Sequence, residues 1–227
     1  MTVEFSIESD LKKFTKDFKG LQKKKIPQAT ANALNKTARG VVKALSSKTD
    51  KVFKDGAVAW TKRGFQHGIG SGNKGKATPK DLATIVKVKP QQNQYLKYQI
   101  EGGTRTPKGR AILGANQNTV RTNLTKQGNL KRSTIQKLIN DNEKYFKGTP
   151  KGSNGSEGIW ERYGKTKAKP SGQRIRQIAR YLKSGQYRPK FPFYQTGEQV
   201  FFGRNRGAFF RTFQKEMTKI LAKAGYR

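Results

Sequence analysis

The sequence predicts an α+β protein: a long N-terminal helix and a C-terminal amphipathic helix packed on a small antiparallel sheet, with extended basic loops or arms and an inserted middle region. Three observations predict it. The stretch "KKKIPQATANALNKTARGVVKALSS" and the stretch "AFFRTFQKEMTKILAKAG" both repeat apolar residues at helical spacing. Between them, "LATIVKVK" and "QYLKYQIEGG" are rich in β-formers and bounded by Pro and Gly. Only 33% of the 227 residues are hydrophobic, and the mean hydropathy is −0.88, so compact regions must alternate with polar ones.

Taken in order, Val3, Phe5 and Ile7 alternate with polar neighbours and predict a short first strand. Ser9 or Asp10 then offers an N-cap for a helix carrying Leu11, Phe14, Phe18 and Leu21, weakened at its end by Gly20. In the long helix, Ile26, Ala29, Ala33, Leu34, Ala38, Val41 and Leu45 share one broad face. Pro27 suits its first turn, where a missing N–H is harmless, and Lys36, Arg39 and Lys43 lie opposite. Residues 50–81 are irregular and include a flexible Gly-rich segment. The two β-rich runs then read as a hairpin turned through Pro90, with Ile85, Tyr95 and Ile100 on its buried face.

Further on, "STIQKLINDNEKYF" reads as a short helix with Ile135, Leu138, Ile139 and Phe146 on one side and Ser133 as its cap. The composition of "KGTPKGSNGSEG" is that of a loop. Next, "SGQRIRQIARYLKSG" reads as a second short helix, with Ile175, Ile178, Ala179 and Leu182 at i, i+3, i+4 and i+7 and Gly185 as its stop. The last helix sets Phe209, Phe213, Met217, Ile220 and Ala224 in a stripe beside Phe210 and Leu221, between a cap at Asn205 and a stop at Gly225. The organisation expected is a helix-plus-sheet core over 1–113, a basic insertion with short helices over 114–188, and a strand or loop plus the C-terminal helix over 189–227 that completes the same core.

Charge governs the functional reading. Lys and Arg number 49 against 14 acids, a net +35. Such a surface repels itself and attracts polyanions, nucleic acid first and acidic protein second. No cysteine is present, which excludes disulfides, thiolate metal sites and cysteine nucleophiles. The N-terminal residues lack the apolar core of a signal peptide. No run approaches the roughly 20 apolar residues of a membrane span, so no membrane partner is expected.

Catalytic constellations find little support. The single histidine, His67, lies in a Gly-rich segment and reads as a bland surface residue. A metal-dependent nuclease needs converging acids, but Asp50, Asp55, Asp141, Glu143, Glu157 and Glu161 are scattered and read as surface ion-pair partners. The segment "GGTRTPKGR" lacks the P-loop spacing and a following helix. The expectation is therefore no enzyme, no metal and no cofactor.

Nucleic-acid contact fits better. Basic and aromatic residues interleave in "ARYLKSGQYRPKFPFY" and "GRNRGAFFRTF", the composition single-strand binders use. Arg174, Arg176, Arg180, Lys183, Arg188, Lys190, Arg204 and Arg206 are the candidate contacts to phosphate or to an acidic partner. Tyr181, Tyr187 and Tyr194 are candidates for stacking, whereas the phenylalanines over 209–213 are spaced as core. The reading this supports is a non-catalytic nucleic-acid-binding protein, ribosomal-like or packaging-related.

Three blocks in a fixed order point to a more specific reading. They are Ile26, Pro27, Ala29, Ala33, Leu34 and Asn35 in the long helix; Glu101, Gly103, Thr104 and Arg105 in "QIEGGTR"; and Pro192 and Phe193 in "RPKFPFYQTGEQV" before the last helix. In this order they resemble the minor tail protein Z and tail-completion, or head–tail joining, family of tailed bacteriophages. The resemblance spans about half of the chain and leaves the middle unmatched. It implies a structural virion protein made in the host cytoplasm, a homo-oligomeric ring, hexameric or higher, at the neck or head-proximal tail end. The implied partners are portal or connector proteins, tail-tube or neck proteins, and double-stranded DNA in the lumen. On that reading Glu101, Gly103, Thr104, Arg105, Lys108, Arg110, Phe191 and Phe193 form a subunit or partner interface. Glu101, the sole acid between Asp81 and Asp141, pairs there with a basic group of its own or the next subunit.

Overall fold

Helix α1, Ile26–Val52, buries Ala29, Ala31, Ala33, Thr37, Ala38, Val41, Leu45 and Thr49. The expected apolar face is thus the buried one, and its small side chains let neighbouring elements approach closely. Leu45 is fully enclosed, a burial that contributes about 1.5–3 kcal/mol. Pro27 departs from expectation, because a π-helical turn, Leu21–Lys25, runs straight into α1, with the Ile26 N–H donating to the Leu21 carbonyl. Proline cannot donate to the carbonyl four residues back and crowds it. The wider turn just upstream accommodates both effects.

The structure, a computed structural model, describes residues 19–53, 55–70, 72–106, 112–115, 124–164, 174–203 and 207–223. The strand expected at 2–7, the helix carrying Phe14 and Phe18, the Asn205 cap and the Gly225 stop lie outside them. The described residues fall into two compact units, one within Met1–Thr49, Ala59–Gln94 and Pro192–Arg227, the other within Asp50–Val58 and Tyr95–Phe191.

The first unit is mainly helical. A short helix α2, Ala59–Lys62, leads into β1, Phe65–His67, which pairs antiparallel with β2, Val86–Val88. After Pro192 come α5, Phe193–Phe202, and α6, Ala208–Lys223. The C-terminal segment thus starts without regular structure over 188–192 and then holds an additional helix, α5, before the last one. Rings tie these pieces together: Phe65 lies 6.2 Å from Phe193, Phe201 stacks on Phe209 at 5.8 Å, and Phe209 stacks on Phe213 at 6.1 Å. Gly207, just before α6, leaves no room for a side chain, since a Cβ there would come 1.9 Å from the Phe201 carbonyl oxygen. The C-terminal helix is pinned to α1 by Glu216, which is 7% exposed. Glu216 accepts hydrogen bonds from Lys36 and, at 3.3 Å, from Asn32.

The expected hairpin does not form. β2 is a strand, but Pro90–Ile100 is a helix, α3, so the run containing Tyr95 and Ile100 is helical. Pro90 opens it, where a missing N–H is harmless, and Gly102 follows its end with φ +79°. These terminal signals outweigh the β-forming Tyr and Ile between them.

The second unit is built on an antiparallel four-stranded sheet in the order β4-β7-β6-β5. Its strands are β4, Ile112–Ala115; β5, Tyr145–Gly148; β6, Gly158–Tyr163; and β7, Arg174–Leu182. Helix α4, Arg132–Asn140, adds Leu138 to a small cluster with Ile159, Ile178 and Ala179, flanked by Ala115, Leu124, Leu130, Tyr145 and Tyr181. The N-cap of α4 is Lys131, with no side-chain capping hydrogen bond, not Ser133. Phe146, expected on that helix, lies in β5.

The largest correction is β7, read from sequence as a helix. Ile159 pairs with Ala179 while Trp160 pairs with Gln177, so Ile178 is the extra residue of a β-bulge. The bulge sets Ile178 and Ala179 into the cluster side by side and breaks the alternation that would have marked a strand. Beyond the sheet, β3, Gly103–Arg105, pairs antiparallel with β8, Gly185–Tyr187, as a two-stranded ribbon. Phe191, 2% exposed, stacks on Phe53 at 6.2 Å.

Candidate functional site

The ribbon of the second unit gathers the largest share of the candidate residues. At the end of α3, the Glu101 N–H donates to Lys97 O at 2.8 Å and the Gly102 N–H to Tyr98 O at 3.1 Å. Gly102 has φ +79°, and a Cβ there would lie 2.9 Å from Pro189 Cδ, so only glycine fits both the turn and the approach. The chain leaves directly into β3, whose Gly103, Thr104 and Arg105 face Tyr187, Gln186 and Gly185. Past β8, the N–H groups of Lys190 and Phe191 both donate to Gln99 O at 2.8 Å. Tyr98 and Tyr187 pack at 5.9 Å beneath this clasp. "QIEGGTR" and "QYRPKF", far apart in sequence, are one structural module.

Cations lie on and beside the module: Lys97, Lys183, Arg188 and Lys190 are exposed, and Arg105 is half-buried. Glu101 is exposed at its helical end. Phe191 is inside the unit, whereas Phe193 lies half-buried in the first turn of α5, in the helical unit, with Tyr194 edge-on at 5.3 Å. Lys108, Arg110, Arg204 and Arg206 lie outside the described residues.

The arginines of β7 divide. Arg176 donates through Nε to Glu161 at 2.7 Å, and Lys144 approaches the other carboxylate oxygen at 3.4 Å. Glu161, 6% exposed, is thus enclosed between two cations. Cross-strand pairing places Arg176 opposite Glu161 and Arg174 opposite Tyr163. Arg174 and Arg180 are exposed. Cations sit over rings across this sheet: Arg162 over Phe146 at 4.4 Å, Lys147 over Tyr181 at 5.2 Å and Arg176 over Tyr163 at 5.2 Å. Of the stacking candidates, Tyr181 and Tyr187 are half-buried, and Tyr194 is 61% exposed.

Sequence reasoning missed two features. One is Glu161 as the centre of an ion triad; a lone acid in a strand-like "GIWERY" amid basic segments was the available signal. The other is His67, which is half-buried rather than a surface residue. Its Nε2 lies 3.1 Å from Asn35 Oδ1 and 2.8 Å from Thr84 Oγ1. Asn35 Oδ1 can only accept, so the ring carries its proton on Nε2. Burial first, then the charges of Arg39 and Lys76, hold the imidazole below its ordinary value. Asn35 in turn bonds the Ala77 backbone twice, accepting its N–H at 2.9 Å and donating to its carbonyl at 2.8 Å.

Asp141 takes a local role, accepting the Lys144 N–H at 3.0 Å. Among the described residues no group of three His, Cys, Asp or Glu is arranged to hold a metal ion. Among the same residues no helix is long and apolar enough to cross a membrane. No family model matches the chain, and comparison with curated proteins and with solved structures found no match.

Proposed function

We propose that the chain is a non-catalytic structural protein of a tailed-phage virion, acting in tail completion or head–tail joining. It assembles as a homo-oligomeric ring, hexameric or larger, around the DNA path, between portal or connector proteins and tail-tube or neck proteins. The observation that carries the reading is the ordered set of sequence blocks, from Ile26–Pro27 through Glu101–Arg105 to Pro192–Phe193. The ribbon supports it, because it joins the second block to the chain leading into the third through β3 and β8 and offers Arg105, Lys183, Arg188 and Lys190 to a neighbour or to DNA. A ring that encloses DNA needs cations on its lumen and no catalytic cluster.

Electron microscopy of the purified full chain, with mass spectrometry of parent particles, tests the proposal. Rings, and the chain present in virions, are expected; a monomer at all concentrations that never enters particles overturns it. Glu101→Gln and Arg105→Ala are expected to impair particle assembly, and normal assembly in both removes the interface role. The net charge of +35 and the cation–ring pairs of the sheet favour a second reading, a nucleic-acid-binding protein with no virion role. Tight duplex binding with a steep salt slope, without rings or particle association, would select it.

A further inference from the structure

A cleft of about 590 Å³ opens on the helical unit between the end of α2, β1 and the start of α3. Its lining brings together Trp60, Arg63, Gln66, Lys89 and Gln91, with no acid. Trp60 is 51% exposed, the wrong place for a large apolar ring that only fills a core. Its backbone is held: the buried Gln92 donates its side-chain amide to the Trp60 main-chain carbonyl at 3.2 Å. The Lys89 N–H donates to Gly64 O at 2.7 Å, which fixes the two walls together. Arg63 is steadied by its Nε bond to Ala59 O at 3.3 Å. The result is an exposed indole sharing one cleft with two cations and with Gln66 and Gln91, the Gln66 amide also donating to Gly68 O at 3.3 Å.

We propose that this cleft binds single-stranded nucleic acid. One unpaired base stacks on the Trp60 indole, Arg63 and Lys89 hold its phosphate, and Gln66 and Gln91 reach the base edge. An aromatic face with adjacent cations is the combination that unpaired bases recognise, since every base has a stacking face and every nucleotide a phosphate. A stacked duplex cannot present a base face to the indole. An acidic peptide would use the cations and leave the ring idle. The volume is that of a small-ligand site, enough for one nucleotide.

The test is tryptophan fluorescence on the full chain carrying Trp160→Phe, so that emission reports Trp60 alone. Should that variant fail to fold, the difference between wild type and Trp60→Phe isolates the same signal. An oligothymidylate strand is expected to quench Trp60 at salt concentrations where the matching duplex does not. Trp60→Ala weakens the strand by on the order of tenfold, and Trp60→Phe retains most of the affinity. Arg63→Gln and Lys89→Gln each lower the salt slope by about one. Equal quenching by duplex, quenching by polyglutamate but not by oligothymidylate, or strand binding by anisotropy with unchanged Trp60 emission would each overturn the site. Rings with no quenching would refute the cleft and leave the virion role standing.

Discussion

The unit built on α1 and the unit built on β7 bury their chains in different ways. In the first, one helix face buries Ala29, Ala33, Ala38, Val41 and Leu45. In the second, among the described residues, Leu138, Ile159, Ile178 and Ala179 form a small buried apolar cluster, with Leu96 and Phe191 buried elsewhere in the unit. The rest of that sheet is held by cross-strand pairs: Glu161 between Arg176 and Lys144, and cations laid over Phe146, Tyr163 and Tyr181. A chain of this charge can build a helix from an apolar stripe, but its sheet must use the cations as packing material, with their stems and planes covering rings. The helical unit's stability therefore rests on area, and the sheet unit's on partners.

A cavity cut into each unit is expected to separate the two most strongly. Leu45→Ala is expected to cost about 2–5 kcal/mol in denaturant unfolding, and Ile178→Ala to fall at the lower end of that range, because a small cluster collapses around the gap more readily. Equal losses would erase the distinction. Next in size, Gly102→Ala forces a side chain into φ +79° against Pro189 and should cost about 1–3 kcal/mol. Glu161→Gln removes the shared partner of two half-exposed cations and should cost about 1–2 kcal/mol, measured against the same change in an Arg176→Ala background.

Acidification sharpens the comparison from the helical side. The hydrogen bond from Lys36 first, then its charge, with help from Asn32 and Lys219, holds the Glu216 carboxyl below the usual carboxylate value against the opposing effect of burial. A depressed carboxyl contributes stability above its unfolded value, and that contribution is lost as pH falls through the folded one. His67, also depressed, acts in the same direction at higher pH. Below its ordinary 6.5 the unfolded chain takes up the proton first, so stability falls with pH until the folded ring titrates. Urea midpoints from neutral to mildly acid pH should fall in wild type and flatten in His67→Gln, and the more acid limb should flatten in Glu216→Gln. The smallest effect on stability is expected for Arg188→Gln with Lys190→Gln, within about 0.5 kcal/mol. The same pair should lower the salt slope of duplex binding by about one per residue.

The same contrast explains what could be read from sequence. The α1 face was legible because it buries one side of a long helix, and α6 was legible by the same period of 3.6, although its stripe of Phe209, Phe213, Met217 and Ile220 is only half-buried. α3 was misread although its signals were present: Pro90 at the start and Gly102 past the end mark a helix, while Tyr95, Tyr98 and Ile100 suggest a strand. β7 was not legible by period at all. Ile175, Ile178, Ala179 and Leu182 match a helical face, yet of these the bulge sets only Ile178 and Ala179 side by side in the interior while Ile175 is exposed, and bulges carry no composition of their own. Of the candidate site, the residues of "EGGTR" and "RPKF" were legible singly. Their union through β3 and β8 was not, because pairing between distant strands leaves no local mark. Trp60 went unnoticed because a lone aromatic in an irregular stretch announces neither core nor surface.

Asn35 has a further consequence. Its carboxamide pairs with both backbone groups of Ala77, so a helix side chain serves there as a surrogate peptide unit, and the segment after His67 is fastened to α1 by a single amide. Exchange of one atom, nitrogen for oxygen, would undo the fastening. An aspartate at this position is acceptor-only and would set a carboxylate against the Ala77 carbonyl. Deamidation is thus the chemical ageing reaction that would release this clasp. The helix around Asn35 holds its backbone away from the cyclised geometry that reaction needs, and so acts as its preservative.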